Sequence, residues 1–285
     1  MNNTIQRLLL FFIAIPSIAV IVLFLPYWNH AAISAVIVLA SAGSAYELAS
    51  ILQVKGFPAR KRMSALSGGI IPLVFYISTW IHHINLPGRT ILMGTACLLI
   101  FLLAPFAFAR TDAINRLVPE VLALVFAILY PGLLAGYMIL IASGLAHSTE
   151  ALVTFAAMTL GNDSLAWLFG MSLGRRRNIV AVSPNKSGAG FVGGMLGSVA
   201  LAFACSRLFP EHFGLNPLLL ALMGLVVGFA TIVGDLFESA LKRSAGVKDS
   251  GHMIPGRGGF LDSIDSLLFA APVFFAFCLA FGLFT

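Results

Sequence analysis

The sequence predicts an all-α, polytopic integral membrane protein with about nine transmembrane helices, its N-terminus cytoplasmic and its C-terminus outward. Three observations carry this expectation. The 285 residues are 59% hydrophobic and 10% charged, with a mean hydropathy of +0.98, far from the mix of a water-soluble domain. Apolar runs of about 18 residues or more recur along the whole chain. The cations, finally, gather on alternate connections between those runs.

The runs lie at roughly 8–28, 31–52, 63–81, 90–109, 118–145, 149–171, 190–209, 216–240 and 264–284. The first is too long for a cleaved signal peptide and lacks a small-residue cleavage site, so it counts as a span. The fifth contains Pro131 and reads as one kinked span or two short pieces. With nine spans, one side collects Arg7, then Lys55, Arg60, Lys61 and Arg62, then Arg110 and Arg116. It also collects Arg175, Arg176, Arg177 and Lys186, and then Lys242, Arg243, Lys248 and Arg257. Only Arg89 and Arg207 fall on the other side. That asymmetry is the positive-inside pattern. It predicts a bacterial inner membrane protein whose polar loops at 172–189 and 241–262 face the cytosol. No soluble domain interrupts the chain: 1–285 reads as one membrane domain, weak in motifs over 1–145 and rich in them over 146–285.

Composition excludes several classes. Cys97, Cys205 and Cys278 lie inside apolar runs without CxxC spacing or paired His, which argues against a disulfide or a zinc site. The net charge of +6 is spread over short loops without an aromatic platform, so no nucleic-acid partner is expected. Most of that charge reads as topology. At the two polar loops it also reads as attraction for membrane lipid headgroups and an anionic ligand.

Five of the eleven acidic residues fall between Gly234 and Asp265: Asp235, Glu238, Asp249, Asp262 and Asp265. Such a polar block between apolar helices is costly to build and marks a functional site at the membrane surface. Asp235, Glu238, Ser239 and Lys242 stand at i, i+3, i+4 and i+7, one stripe of a helix. Asp262, Asp265 and Ser266 repeat that spacing at the start of the last span, where a helix N-terminus favours negative charge. Glu238 and Lys242 are equally an ordinary i,i+4 pair, so Glu238 ranks second. Lys186 follows Ser183-Pro184 and precedes a Gly-rich helix start at Gly188. That start formally satisfies GxGxxG, but no strand precedes it, so a dinucleotide fold is excluded. Small residues and free amides at a helix start suit a phosphate; glycines up to Gly197 equally suit close helix packing in lipid. Asp163, beside Asn162 inside the sixth run, is a second-rank candidate that could orient Lys186, bind metal indirectly, or pair with Arg175–Arg177. Glu47 in the second run is weaker still. His252 reads as solvated, and His30, His82, His83, His147 and His212 fall in outer or interfacial turns and read as bland.

These motifs together resemble the phosphatidate cytidylyltransferases, or CDP-diacylglycerol synthases. Their signature runs Ser-x-apolar-Lys-Arg, four residues, Lys-Asp-x-Gly-x-x-apolar-Pro-Gly-His-Gly-Gly-x-x-Asp-Arg-x-Asp. Ser239, Lys242, Arg243, Lys248, Asp249, Pro255, Gly256, Gly258, Gly259, Asp262 and Asp265 fit it in type and spacing. Arg257 stands where that family has His, and Ser263 where it has Arg. Ser183-Pro184-Asn185-Lys186-Ser187-Gly188-Ala189-Gly190 matches a second family element, Asp163-Ser164 a third, and Glu47 is the one family-like mark of the N-terminal half.

The resemblance implies transfer of a cytidylyl group from CTP to phosphatidate, giving CDP-diacylglycerol and pyrophosphate. It implies Mg²⁺ on Asp235 and Asp262, with room for a second cation, and a family habit of homodimers; Asp265 is a third metal candidate or aligns Asp262 or Lys242. The catalytic set it suggests is Lys186, Asp235, Asp262, Asp249 and Lys242. Ser183, Pro184, Gly190, Arg243, Lys248, Arg257 and Ser239 would bind substrate. Both reactants are anionic, so metal and Lys/Arg would neutralise their repulsion. No general base is needed, because a phosphomonoester is already largely dianionic near neutral pH, with a second pKa of about 6. The rivals are a paralogue acting on another phosphorylated lipid or alcohol and a transporter or flippase. Against the latter, the acids gather toward one face and no inverted repeat is visible.

Overall fold

A computed structural model describes residues 3–81, 114–174, 179–214 and 216–284. The described residues are helical apart from loops and one isolated bridge between Ile254 and Gly258. In chain order the helices are α1 (Asn3–Phe24), α2 (Tyr27–Val54), α3 (Lys61–Ile81), α4 (Ile114–Ala127), a π-helical turn (Ile128–Leu133) and α5 (Leu134–Ser143). They continue with α6 (Ser148–Leu173), α7 (Gly188–Leu208), a 3₁₀ turn (Pro210–His212), α8 (Pro217–Ser244) and α9 (Leu261–Phe281). Seven described segments are long and apolar enough to cross a membrane. They match the second, third and fifth to ninth runs. α1 falls on the first run, but ends at Phe24, before Pro26. The fourth run, with Cys97, lies outside the described residues.

The chain divides into two compact units, one of residues 1–143 with 244–263, the other of residues 144–243 with 264–285. The loop carrying most of the signature therefore folds with the N-terminal helices.

In the first unit, α2 has positive φ at Trp28, Asn29 and His30, so its right-handed helix begins where the apolar run does. Gly68 lets α3 approach α2 closely: a Cβ there would lie 3.1 Å from the Ser41 carbonyl oxygen. The fifth run is a single span. Proline removes a backbone donor and crowds the preceding turn, and the chain answers with a π turn around Pro131. The Ser41 hydroxyl lies 2.7 Å from the Gly68 carbonyl and 3.0 Å from the Pro131 carbonyl. The hydroxyl thus lies between α3 and the π turn, within reach of a backbone carbonyl on each.

In the second unit, α6 and α7 meet along a glycine face. Added Cβ atoms at Gly190, Gly193, Gly194 and Gly197 would each come within 3.0 Å of α6 atoms. This is small-residue packing as used in membranes, where dispersion and close backbone approach hold helices together. Asn162, fully buried, donates through Nδ2 toward Ser198 Oγ at 3.0 Å and the Gly228 carbonyl at 3.3 Å. Ser198 in turn donates to the Met158 carbonyl at 2.9 Å. One carboxamide thereby joins α6, α7 and α8.

Candidate active site: a charged cavity and a carboxylate-held loop

The second unit holds a cavity of about 390 Å³, lined by Asn162, Asp163, Trp167, Lys186, Phe191 and Asp235, among others. Each wall has a local cause. Asp163 rides on α6, whose Asn162 is pinned to α7 and α8. Lys186 sits in the turn before α7: its N–H donates to the Ser183 carbonyl at 3.1 Å. Ser187 then caps α7, its Oγ accepting from Gly190 N at 3.2 Å, which satisfies one orphan donor of the helix start. The turn therefore delivers the Lys186 ammonium into the cavity, where it pairs with Asp235 Oδ2 and lies 5.9 Å from the Phe191 ring centre. Ser239, one turn along α8, places Oγ 3.5 Å from Asp235 Oδ1.

Sequence reasoning expected Lys186 and Asp235 as separate instruments, one for phosphate and one for metal. The structure brings them together, each side chain about one-third exposed or less. Asp163 joins them in the cavity wall; Arg175–Arg177 lie outside the described residues. Asn162 was passed over. Its Oδ1 is buried without a hydrogen-bond partner in the wall that also carries Asp163 and Asp235. Asp163 and Asp235 offer hard carboxylate oxygens in the cavity wall, the donor type that fits Mg²⁺, whereas Asn162 Oδ1 lies against α7 at Gly194.

Other expected residues of this unit have local partners. Glu238 is 1% exposed and pairs with Lys242 at 2.6 Å, the ordinary i,i+4 alternative. Asp265, also buried, accepts from Ser266 N through Oδ1 at 2.7 Å. Gly234 allows α8 and α9 to close up there, since a Cβ would lie 3.0 Å from Ser266 Cα. Gly190 both lines the cavity and packs α7 on α6, its added Cβ reaching 2.9 Å from the Ala166 carbonyl oxygen. Ser183 and Pro184 form the turn before Lys186, and Arg243 is exposed near the end of α8.

In the first unit the signature loop is held by two carboxylates. Glu47, 2% exposed on α2, accepts from Phe260 N (3.0 Å) through Oε1 and from Leu261 N (2.9 Å) through Oε2. These amides open α9 and have no partner within their own helix, so a residue more than 200 positions away caps it. Asp262 Oδ2 accepts from Ser250 N (2.9 Å) and Gly259 N (2.8 Å). The Ser250 hydroxyl lies 2.9 Å from Glu47 Oε2 and 2.8 Å from Asp262 Oδ2. It has one proton, so it serves one carboxylate at a time. Asp262 thus organises the loop with one of its oxygens.

Between these anchors, Ile254 N donates to the Gly258 carbonyl at 2.8 Å and Gly258 N to the Ile254 carbonyl at 3.0 Å. Gly256 and Gly258, at φ +77° and +115°, make the turn possible. The segment is therefore a closed hairpin presenting exposed Arg257. Ser263 turns inward, its hydroxyl donating to the Gly259 carbonyl at 3.0 Å. Lys248 and Asp249 are exposed, and Asp249 joins Glu47 and His252 in lining a second cavity of about 320 Å³.

The chain as a whole is similar to known proteins. The family model described as "Cytidylyltransferase family" matches residues 5–281. A phosphatidate cytidylyltransferase of Staphylococcus haemolyticus is 32% identical over 227 residues, 80% of this chain and 82% of that protein. One from Bacillus subtilis is 34% identical over 227 residues, 69% of this chain and 80% of that protein. The uncharacterized protein YnbB of Escherichia coli is 46% identical over 121 residues, covering 42% of this chain and 40% of YnbB. With the family model spanning nearly the whole chain and relatives aligned over most of both lengths, the chain belongs to the cytidylyltransferase family.

Proposed function

We propose that this membrane enzyme transfers the cytidylyl group of CTP to phosphatidate. A phosphate oxygen of the lipid attacks the α-phosphorus; the bond from that phosphorus to the bridging oxygen breaks, and pyrophosphate leaves with the electron pair. The observation that carries the reading is the cavity in which Lys186, Asp235 and Asp163 converge, within a chain of this family.

Lys186 neutralises phosphate charge that grows during transfer, and the low-dielectric wall strengthens that interaction. In the resting cavity Asp235 holds the ammonium in place. Asp235 and Asp163 would hold Mg²⁺, which when bound supplies Lewis-acid neutralisation of phosphate oxygens. Asp262 and Asp265 remain candidates for a metal role. Exposed Lys248, Arg257 and Arg243 would draw the two anionic substrates toward a cytosolic interface while the acyl chains stay in the bilayer. We extend the reading to an inner-membrane location and to a homodimer, the family habit.

Purified protein, CTP, Mg²⁺ and a panel of phospholipids, with products read by mass spectrometry, test the reading. CDP-diacylglycerol and pyrophosphate should form in equal amounts with phosphatidate. A product from another phosphorylated acceptor, with none from phosphatidate, would overturn it.

A further inference from the structure

We propose that His147, Glu150 and His212 form a binding site for one nitrogen-preferring divalent transition-metal ion of the Zn²⁺ class, at the end of α6 remote from the charged cavity. The donor atoms of the three lie within 4.8 Å of one another. A tetrahedral centre with bonds of about 2.0–2.1 Å spaces its ligands about 3.4 Å apart, so small side-chain rotations close the site. The two imidazoles already face each other, with ring centres 4.1 Å apart.

The scaffold holds the ligands from three directions. His147 precedes α6, and its N–H donates to the Phe284 carbonyl at 3.1 Å, tying the α6 start to the chain end after α9. Glu150 lies three residues on, in the first turn of α6 and on the same face. His212 ends the 3₁₀ turn after α7, its side chain 10% exposed against the Phe284 ring at 5.5 Å. The nearest alternative partner of His212, Glu211 Oε1, stands 3.7 Å away, beyond a hydrogen bond.

Charge and donor chemistry select the ion. A helix N-terminus disfavours a cation, and Glu150 offsets that cost. Two imidazoles with one carboxylate prefer Zn²⁺, Cu²⁺, Ni²⁺ or Co²⁺ to Mg²⁺ or Ca²⁺, which seek oxygen. Asp163 is sixteen residues beyond His147, about 24 Å along the helix, so this ion would be separate from any catalytic cation. Three protein ligands leave a fourth position to water. A bound ion would join the α6 start to the turn after α7.

The test uses the full-length, untagged protein in detergent with excess Mg²⁺ to occupy oxygen sites. Zn²⁺ titration followed by calorimetry should show one equivalent per chain. Glu150→Gln and His212→Gln should each weaken it at least about tenfold, with cytidylyl transfer in Mg²⁺ unchanged. Co²⁺ added to the wild type should give the intense visible absorption of a four-coordinate, nitrogen-ligated ion, a readout that needs no variant to fold. No saturable Zn²⁺ equivalent, equal binding by both variants, or a Co²⁺ spectrum matching the detergent blank would each overturn the proposal.

Discussion

Replacing Glu47 by Ala should release the signature loop. The side chain is 2% exposed and accepts from Phe260 N, Leu261 N and Ser250 Oγ at 2.9–3.0 Å. Alanine leaves the two amides buried without an acceptor, at about 1–3 kcal/mol each. The sum of about 2–6 kcal/mol raises the open-loop population by a factor of roughly 30 to 10⁴, at 1.4 kcal/mol per tenfold. Trypsin can read this directly, because Lys248 and Arg257 lie in the anchored segment and are exposed. Where reclosing outpaces cleavage, the cutting rate follows the open population. Cleavage after either residue, identified by mass spectrometry, should therefore accelerate by at least about 30-fold. Glu47→Gln should fall between, since its amide keeps one acceptor but turns an NH₂ toward a donor. Alanine-variant cleavage within about threefold of wild type, with unchanged turnover, would refute the view that Glu47 caps α9 and orders the loop.

Three further outcomes are expected. Lys186→Ala and Asp235→Asn should each lower kcat about 10²–10³-fold if the groups meet charge developing in a dry site, with Lys186→Arg only partly rescued. Near-normal rates across a Mg²⁺ titration would remove the altered residue from the chemistry. Gly258→Ala should open the hairpin, because φ is +115° and the new Cβ would lie 2.6 Å from Asp262 Oδ2; tryptic cutting after Arg257 no faster than wild type would contradict that. If Arg257 supplies the charge that an Arg at position 263 supplies in the family pattern, Arg257→His should impair transfer severely and the added Ser263→Arg should restore much of it. A harmless single change, or a double change that restores nothing, would rule out compensation.

The sequence by itself determined most of what depends on near neighbours along the chain. Apolar runs located the seven spans found among the described residues, because the cost of exposing polar backbone to lipid acts on each segment separately. Pro131 announced its own distortion, since a missing N–H is a local property. Lys186 and Asp235 stood out because an ionised group beside hydrocarbon is conspicuous in one dimension. Their pairing with each other did not, and neither did the placing of Asp163 in the same wall.

Only the tertiary structure decided which distant groups meet. Glu47 looked weak because its three donors lie more than 200 residues away. Asn162 carried no motif, yet three helices converge on its amide. The packing role of the α7 glycines showed only when the atoms of α6 filled the space before them. His147 and His212 read as bland turn residues until the folded chain brought their rings to 4.1 Å, tilted by 36°. Helical periodicity states which face a side chain shares with its own neighbours, whereas packing alone chooses what stands opposite that face.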